Sequence, residues 1–316
     1  MENELQVPDI KTTTRKRRRK PINWGAVTFI AAHLLPAFIL VAIFYVYCNI
    51  ESFFMAFQRK EGDGLVWTFD NFVWIFKQFG EEGDEMKVAL LNTLMWWGIQ
   101  MFLIVFGLFT SYFIYKKISG SKIFRVVFLI PGLISAVVMA FVISRMLSAQ
   151  GFIAEWVQKM DGLPQAPDLL RDERYAMKWL IIKSFPFAVA TNMLIWVGTM
   201  SRIPDSVIES AKLDGANWLV EMFRIVLPMI LPAVGITLCS AVSGLFTANG
   251  GEFLYTRGQY GTMTLNTWLY LQIYNTSPQS NTYNQVSAVG WVMTAVLAPL
   301  ILLTRHWMNK IGEVEY

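Results

Sequence analysis

A chain of 316 residues with 54% hydrophobic and only 16% charged residues has too little polar surface to cover a water-soluble globule, since an ordinary soluble domain carries about 25% charge. The formal net charge of +4 does not point to nucleic acid, because most basic residues sit in tails and short loops between apolar runs. The dense cluster Arg15–Lys20 lies just ahead of the first apolar run, where basic residues anchor and orient a membrane segment.

A bilayer core needs about 20 apolar residues per helix, and the apolar residues fall in runs of that length. Residues 1–24 are expected to form a polar, basic tail, and no cleavable signal is expected after it. A first span is predicted from Ala26 to Tyr47, with Pro36 inside it; membrane helices tolerate proline where neighbours satisfy the freed carbonyl. The mixed segment 51–88 follows, and its apolar piece, Phe69 to Phe79, is too short to span and predicts a packed or interfacial helix. A second span runs from Ala89 to Tyr115, then a basic loop with Lys116, Lys117, Lys122 and Arg125, then a third span from Val126 to Leu147. Residues 148–178, with Pro164 and Pro167, read as a loop holding one short helix. The fourth span is predicted from Trp179 to Met200, the fifth from Met229 to Ala248 and the sixth from Val286 to Leu303. A Gly- and Asn-rich polar stretch, 249–285, separates the last two. The fold expected is an all-α polytopic membrane bundle of about six helices, with a membrane domain over 25–305 and a short tail over 306–316. Sixteen Lys and Arg fall in the segments assigned to the inside against nine in the longer outer ones, which places both termini in the cytoplasm. Arg145 and Lys183 lie within spans near their outer ends, where snorkelling is feasible.

No carboxylate lies inside any of these six spans, and no G-x-x-x-x-G-K-[ST] loop or G-x-S-x-G elbow occurs. His33 and His306 have no Cys or carboxylate at ligand spacing, so no metal site is expected, and Cys48 and Cys239 read as small apolar fillers. No catalytic residues and no enzymatic activity of the chain's own are expected. Polar side chains inside or beside the spans are the candidates for a solute pathway: Asn92, Gln100, Asn192 and Asn249, with Trp196 as a stacking face. Each has helix–helix bonding as its alternative role. Asn249-Gly250-Gly251-Glu252 is either a pore-mouth element or a turn.

The segment 201–228 between the fourth and fifth spans is amphipathic and does not span. Pro204 suits a first helical position, Asp205 and Glu209 suit a helix N-terminal end, and Val207, Ile208 and Ala211 form a small apolar face. Gly215 either ends this helix or lets another backbone approach. A second helical run, Trp218 to Val226, leads into Pro228. With Glu209, Ser210, Ala211, Asp214, Gly215 and Ala216 at fixed spacing, then Ile225, Leu227, Pro228 and Pro232, the segment resembles the cytoplasmic EAA loop of binding-protein-dependent ABC importer permeases. Ser210 stands where alanine is frequent, and Met222 where an aromatic is usual, with Phe223 next to it. Asn92-Thr93, the run Ser119 to Pro131, Ser287 to Gly290 and the tail Lys310, Gly312, Glu313 are similar to the carbohydrate, maltose-type branch.

The resemblance implies a type I importer permease in a prokaryotic cell membrane, in contact with membrane lipid. It implies a second, non-identical permease as partner, two ATP-binding subunits that hold ATP and Mg, and an extracytoplasmic solute-binding protein that delivers a sugar. No cofactor is expected in this chain itself. Glu209 to Gly215 would be the coupling helix docking on an ATPase, with Glu209 paired to a basic residue there. A permease for a non-sugar polar solute, an ion-coupled secondary transporter and a membrane scaffold are the competing readings. The second needs a mid-membrane carboxylate.

Overall fold

The computed structural model describes residues 24–62, 64–80, 85–275 and 281–312; the expectations for the tail 1–23 and for Glu313 lie outside them. The chain divides into two units, 1–51 and 52–316. In the first, α1 (Trp24–Leu40) passes through a π-helical turn, Val41–Tyr47, into the start of α2 (Cys48–Ala56), the rest of which belongs to the second.

After α2 comes an antiparallel hairpin, β1 (Gln58–Glu61) and β2 (Gly64–Trp67), in register Gln58 to Trp67. This hairpin is absent from the sequence expectation. Its signal was the Gly62-Asp63-Gly64 run, a glycine-rich turn that favours tight strand reversal. α3 (Asp70–Gly80) then packs as the short helix expected. Asn71 is buried and donates Nδ2 to Ala56 O at 2.9 Å and Gln58 O at 2.8 Å, and the Trp74 ring stacks near Trp268.

The bundle is built from α4 (Glu85–Tyr115), α5 (Ser121–Leu133), α6 (Ala136–Leu147), α7 (Phe152–Asp161) and α8 (Ala176–Met200). They are followed by α9 (Asp205–Leu213), α10 (Trp218–Val220), α11 (Leu227–Ser243), α12 (Glu252–Tyr255), α13 (Leu265–Tyr274) and α14 (Thr282–Gly312). Among the described residues six helical stretches are long and apolar enough to cross a membrane: Thr28–Ala56, Glu85–Tyr115, Ala136–Asp161, Ala176–Met200, Trp218–Ser243 and Thr282–Met308.

The first membrane-length run continues to Ala56 rather than ending at Tyr47, and the third and fifth depart from expectation in kind. The third run is not one helix from Val126, because the backbone turns extended at Ile134 and Ser135 after Pro131 and Gly132, separating α5 from α6. It turns again at Ser148–Gly151 before α7. The fifth helix starts at Trp218, so the run Trp218 to Val226 is the first part of that helix rather than a separate one. A π-helical stretch, Glu221–Val226, carries it to Pro228, and the Leu227 N–H bonds Met222 O five residues back. Glu221 thereby falls inside a membrane-length helix, contrary to the expectation that none of the spans holds a carboxylate. The polar stretch 249–285 also contains the helices α12 and α13, which a Gly-rich composition concealed.

One buried cluster, with Tyr112, Trp196, Met222 and Ile230 in it, joins α4, α8, α9 and α11. Another, with Trp96, Leu147, Leu169 and Leu180, joins α4, α6, α7 and α8. On the polar loop before α8 the Arg174 guanidinium beside Asp172 holds that carboxyl below its ordinary range.

Candidate functional site

Two cavities lie side by side in the second unit. The larger, about 550 Å³, is walled by α4, α6, α8, α11, α12 and the turn 244–251, and that volume suits a small-molecule site. Its lining mixes amides (Gln100, Asn249), hydroxyls (Ser184, Ser240, Thr247) and aromatic faces (Trp96, Phe187, Tyr255). Lys183 is the one charged side chain in it. The smaller, about 310 Å³, shares Gln100, Leu103 and Ser240 with the first and adds Asn192 and Thr237.

The turn that forms one wall is held tightly. Asn249 Nδ2 donates to Thr247 O at 3.0 Å, and its Oδ1 accepts from Gly251 N at 3.0 Å. Gly251 takes the left-handed backbone, φ +73°, that favours glycine. Glu252, 1% exposed, points its carboxylate inward: Oε2 accepts from Gly250 N at 3.0 Å, and Oε1 from the hydroxyls of Thr264 and Thr267. The Trp96 ring lies directly against Gly250, where a Cβ would overlap it. Burial raises the Tyr255 hydroxyl above its ordinary range, so this wall presents a neutral phenol.

The five residues expected to line the pathway divide three and two, with Gln100 lining both cavities. Asn249 faces the larger cavity and Asn192 the smaller. Asn92 instead donates Nδ2 to Gly261 O at 3.0 Å and Met263 O at 2.8 Å, tying α4 to the loop before α13. Its neighbour Thr93 does the same through Leu265 N. Trp196 lines neither cavity: it is fully buried against α4, where Gly107 admits its ring. Trp96 and Lys183, not singled out as pathway residues, line the larger one. Lys183 does not snorkel outward; its Nζ donates to Gly250 O at 2.6 Å and lies 4.0 Å from the Tyr255 ring centre. Trp96 and Lys183 are brought to Gly250 by tertiary packing across 154 and 67 positions respectively, which no local motif records.

The second candidate surface is α9. Pro204 occupies the cap in extended backbone, one position earlier than expected, and Asp205 opens the helix. Ile208 and Ala211 are buried, whereas Glu209, Ser210, Lys212 and Asp214 are exposed. Leu213 is 89% exposed. The helix closes with Gly215 N bonding Lys212 O and Ala216 N bonding Ala211 O, the 5→2 and 6→1 pair of a Schellman end. Gly215 holds φ +79°, and nothing lies within 4 Å of where its Cβ would be. In this chain the glycine therefore ends the helix; it does not admit a neighbouring backbone. Asn217 then caps the next helix through Val220 N at 2.9 Å. Behind this surface Lys116 Nζ bonds both oxygens of Glu221, at 2.7 and 2.8 Å, joining the end of α4 to the fifth membrane-length helix. Among the described residues no cluster of three or more His, Cys, Asp or Glu is placed to hold a metal.

Residues 103–311 match the family described as binding-protein-dependent transport system inner membrane component. The chain belongs to this family. The matched stretch includes α9 and most of both cavity walls. The multiple sugar-binding transport system permease protein MsmF of Streptococcus mutans is 24% identical over 310 residues, covering 94% of this chain and 99% of its own. The maltodextrin transport system permease protein MdxF of Bacillus subtilis is 26% identical over 314 residues, covering 89% and 69%. Among solved structures, a chain of a bacterial alginate ABC transporter in complex with alginate pentasaccharide-bound periplasmic protein superposes with a TM-score of 0.75 at 22% identity, over 93% of this chain and 99% of that one. The fold is thus that of an ABC importer permease, and the chain is a multi-pass membrane component.

Proposed function

We propose that this inner membrane component forms half of the translocation pathway of an ATP-driven importer that carries a sugar or oligosaccharide into the cell by alternating access. The observation that carries the reading is α9. The EAA-type spacing folds into a short helix whose Ile208 and Ala211 hold it to the bundle. Its Glu209, Leu213 and Asp214 stay exposed, and Glu209 has no ion-pair partner in the chain among the described residues. A rigid, outward-facing helix anchored on one face suits transmission of motion from a separate ATPase.

ATP and Mg then belong to two partner ATP-binding subunits, and a second, non-identical permease supplies the other half of the pathway. An extracytoplasmic binding protein, like the periplasmic protein in the alginate complex, delivers the cargo. Sugar as cargo is supported by the relatives' names and by the cavity, where amides, hydroxyls and aromatic faces suit a polyhydroxyl ring. Both termini and α9 lie on the cytoplasmic side in this reading.

The test is ATP-dependent oligosaccharide uptake in cells carrying the whole transport operon, with wild type, Glu209→Lys and Gly215→Trp compared at equal membrane levels. Both variants are expected to lose at least about tenfold in uptake, equivalent to about 1.4 kcal/mol of coupling. Unchanged uptake in both would remove α9 as the coupling element.

A further inference from the structure

The geometry points to Lys183 as a specificity-determining cation in the larger cavity, selecting cargo that carries a carboxylate: an oligosaccharide containing uronic acid. The inference rests on the importer reading and deepens it. An ammonium in a membrane-length helix is retained where it meets a partner or lines a pathway. Among the described residues Lys183 has no carboxylate within ion-pair distance. Glu252, the nearby acid whose charge acts on Lys183, does not line the cavity and already accepts from Gly250 N and from the Thr264 and Thr267 hydroxyls.

Lysine has three donors, and one is given to Gly250 O. The Tyr255 ring packs against the ammonium at 4.0 Å, which stabilises the charge without neutralising it. The cavity therefore presents a positive centre with donors to spare, beside the Ser184 hydroxyl and the Gln100 amide, which makes no hydrogen bond among the described residues. One ammonium balances one carboxylate. A phosphate, with more charge, is served better by the bidentate guanidinium groups that this lining lacks. Hydroxyls and amides for ring oxygens, aromatic faces for the ring and one cation for a carboxylate together describe a hexuronate residue.

The experiment reconstitutes the complete importer in liposomes with its partner permease, ATPase subunits and binding protein. ATP-driven uptake is measured for a panel of oligouronates, for their neutral methyl esters and for a sugar phosphate. Wild type, Lys183→Gln and Lys183→Arg are compared at matched incorporation, and because the binding protein is the same throughout, any change in preference originates in the membrane subunits. Wild type should import an oligouronate, the acid-to-ester uptake ratio should fall about tenfold in Lys183→Gln, and Lys183→Arg should keep most of it. Equal losses on acid and ester would make Lys183 a prop for the Gly250 turn and overturn the inference. An unchanged ratio, or a wild type that imports neutral sugars or the phosphate but no uronate, would overturn it too while leaving the importer reading standing. ATP-driven uptake of no saccharide at all would remove both.

Discussion

Two glycines frame the functional surfaces for opposite reasons, and the difference is measurable. Gly215 has open space around it but a left-handed backbone, so Gly215→Ala adds only conformational strain, about 1–2 kcal/mol. Gly250 has the reverse problem: its Cβ would overlap the Trp96 ring, whose neighbourhood is closed by Gly250 itself and by the buried Ala248. Gly250→Ala should therefore cost about 1–3 kcal/mol by overpacking and displace the cavity wall. Thermal unfolding of the detergent-solubilised complex checks both. Trp96→Phe, smaller than the indole, should recover part of the Gly250→Ala loss and none of the Gly215→Ala loss. An equal response of the two sites would mean that the Trp96–Gly250 contact does not shape the wall.

At the scale of elements, the joint between α4 and the fifth membrane-length helix depends on Lys116 and Glu221. Glu221 is 3% exposed, so removing its partner leaves a charge without compensation. Breaking a buried pair costs about 3–5 kcal/mol; Lys116 keeps 23% of its side chain exposed, which places Glu221→Ala at or below the low end of that range. The double variant Lys116→Met, Glu221→Leu should lose less than Glu221→Ala alone, because two apolar groups remove the desolvation problem. A double variant that unfolds as early as the single one would show that the cost lies in packing around Met222 rather than in charge. Little of this joint was legible in the sequence. Lys116 read as one of four loop cations, and Glu221 read as part of an amphipathic segment that does not span. The π-helical stretch before Pro228 shifts the bonding to i→i−5, so the chain crosses the proline without a break and takes Glu221 inside. The short helix α9, by contrast, was legible in outline, since the residues that open it, hold it to the bundle and end it, Asp205, Ile208, Ala211 and Gly215, lie within ten positions of one another. The cavity was not, because its walls come from five helices and a turn. A lysine in an apolar run reads as snorkelling until the partner turn is placed beside it.

At the scale of the whole molecule, the membrane runs follow from composition and length alone, while the sidedness proposed for them rests on the distribution of Lys and Arg. Sidedness decides whether α9 can meet an ATPase, so it can be tested without transport. Cys48 and Cys239 are the chain's two cysteines, both free thiols; replacing both with serine gives a background for single probes. Leu213→Cys would report the α9 surface, and Glu61→Cys the exposed tip of the hairpin. These sites are separated by membrane-length runs Glu85–Tyr115, Ala136–Asp161 and Ala176–Met200, an odd number of crossings, so they must report opposite faces if each run crosses once. A membrane-impermeant maleimide should label Glu61→Cys in right-side-out vesicles and Leu213→Cys only in inside-out ones. Adding the ATPase subunits should then protect Leu213→Cys, because its exposed apolar side chain position is where docking would exclude the reagent, and leave Glu61→Cys reactive. Labelling of both probes from one face would mean that one of the three runs does not cross. Labelling of Leu213→Cys from outside would invert the orientation and separate α9 from any cytoplasmic ATPase.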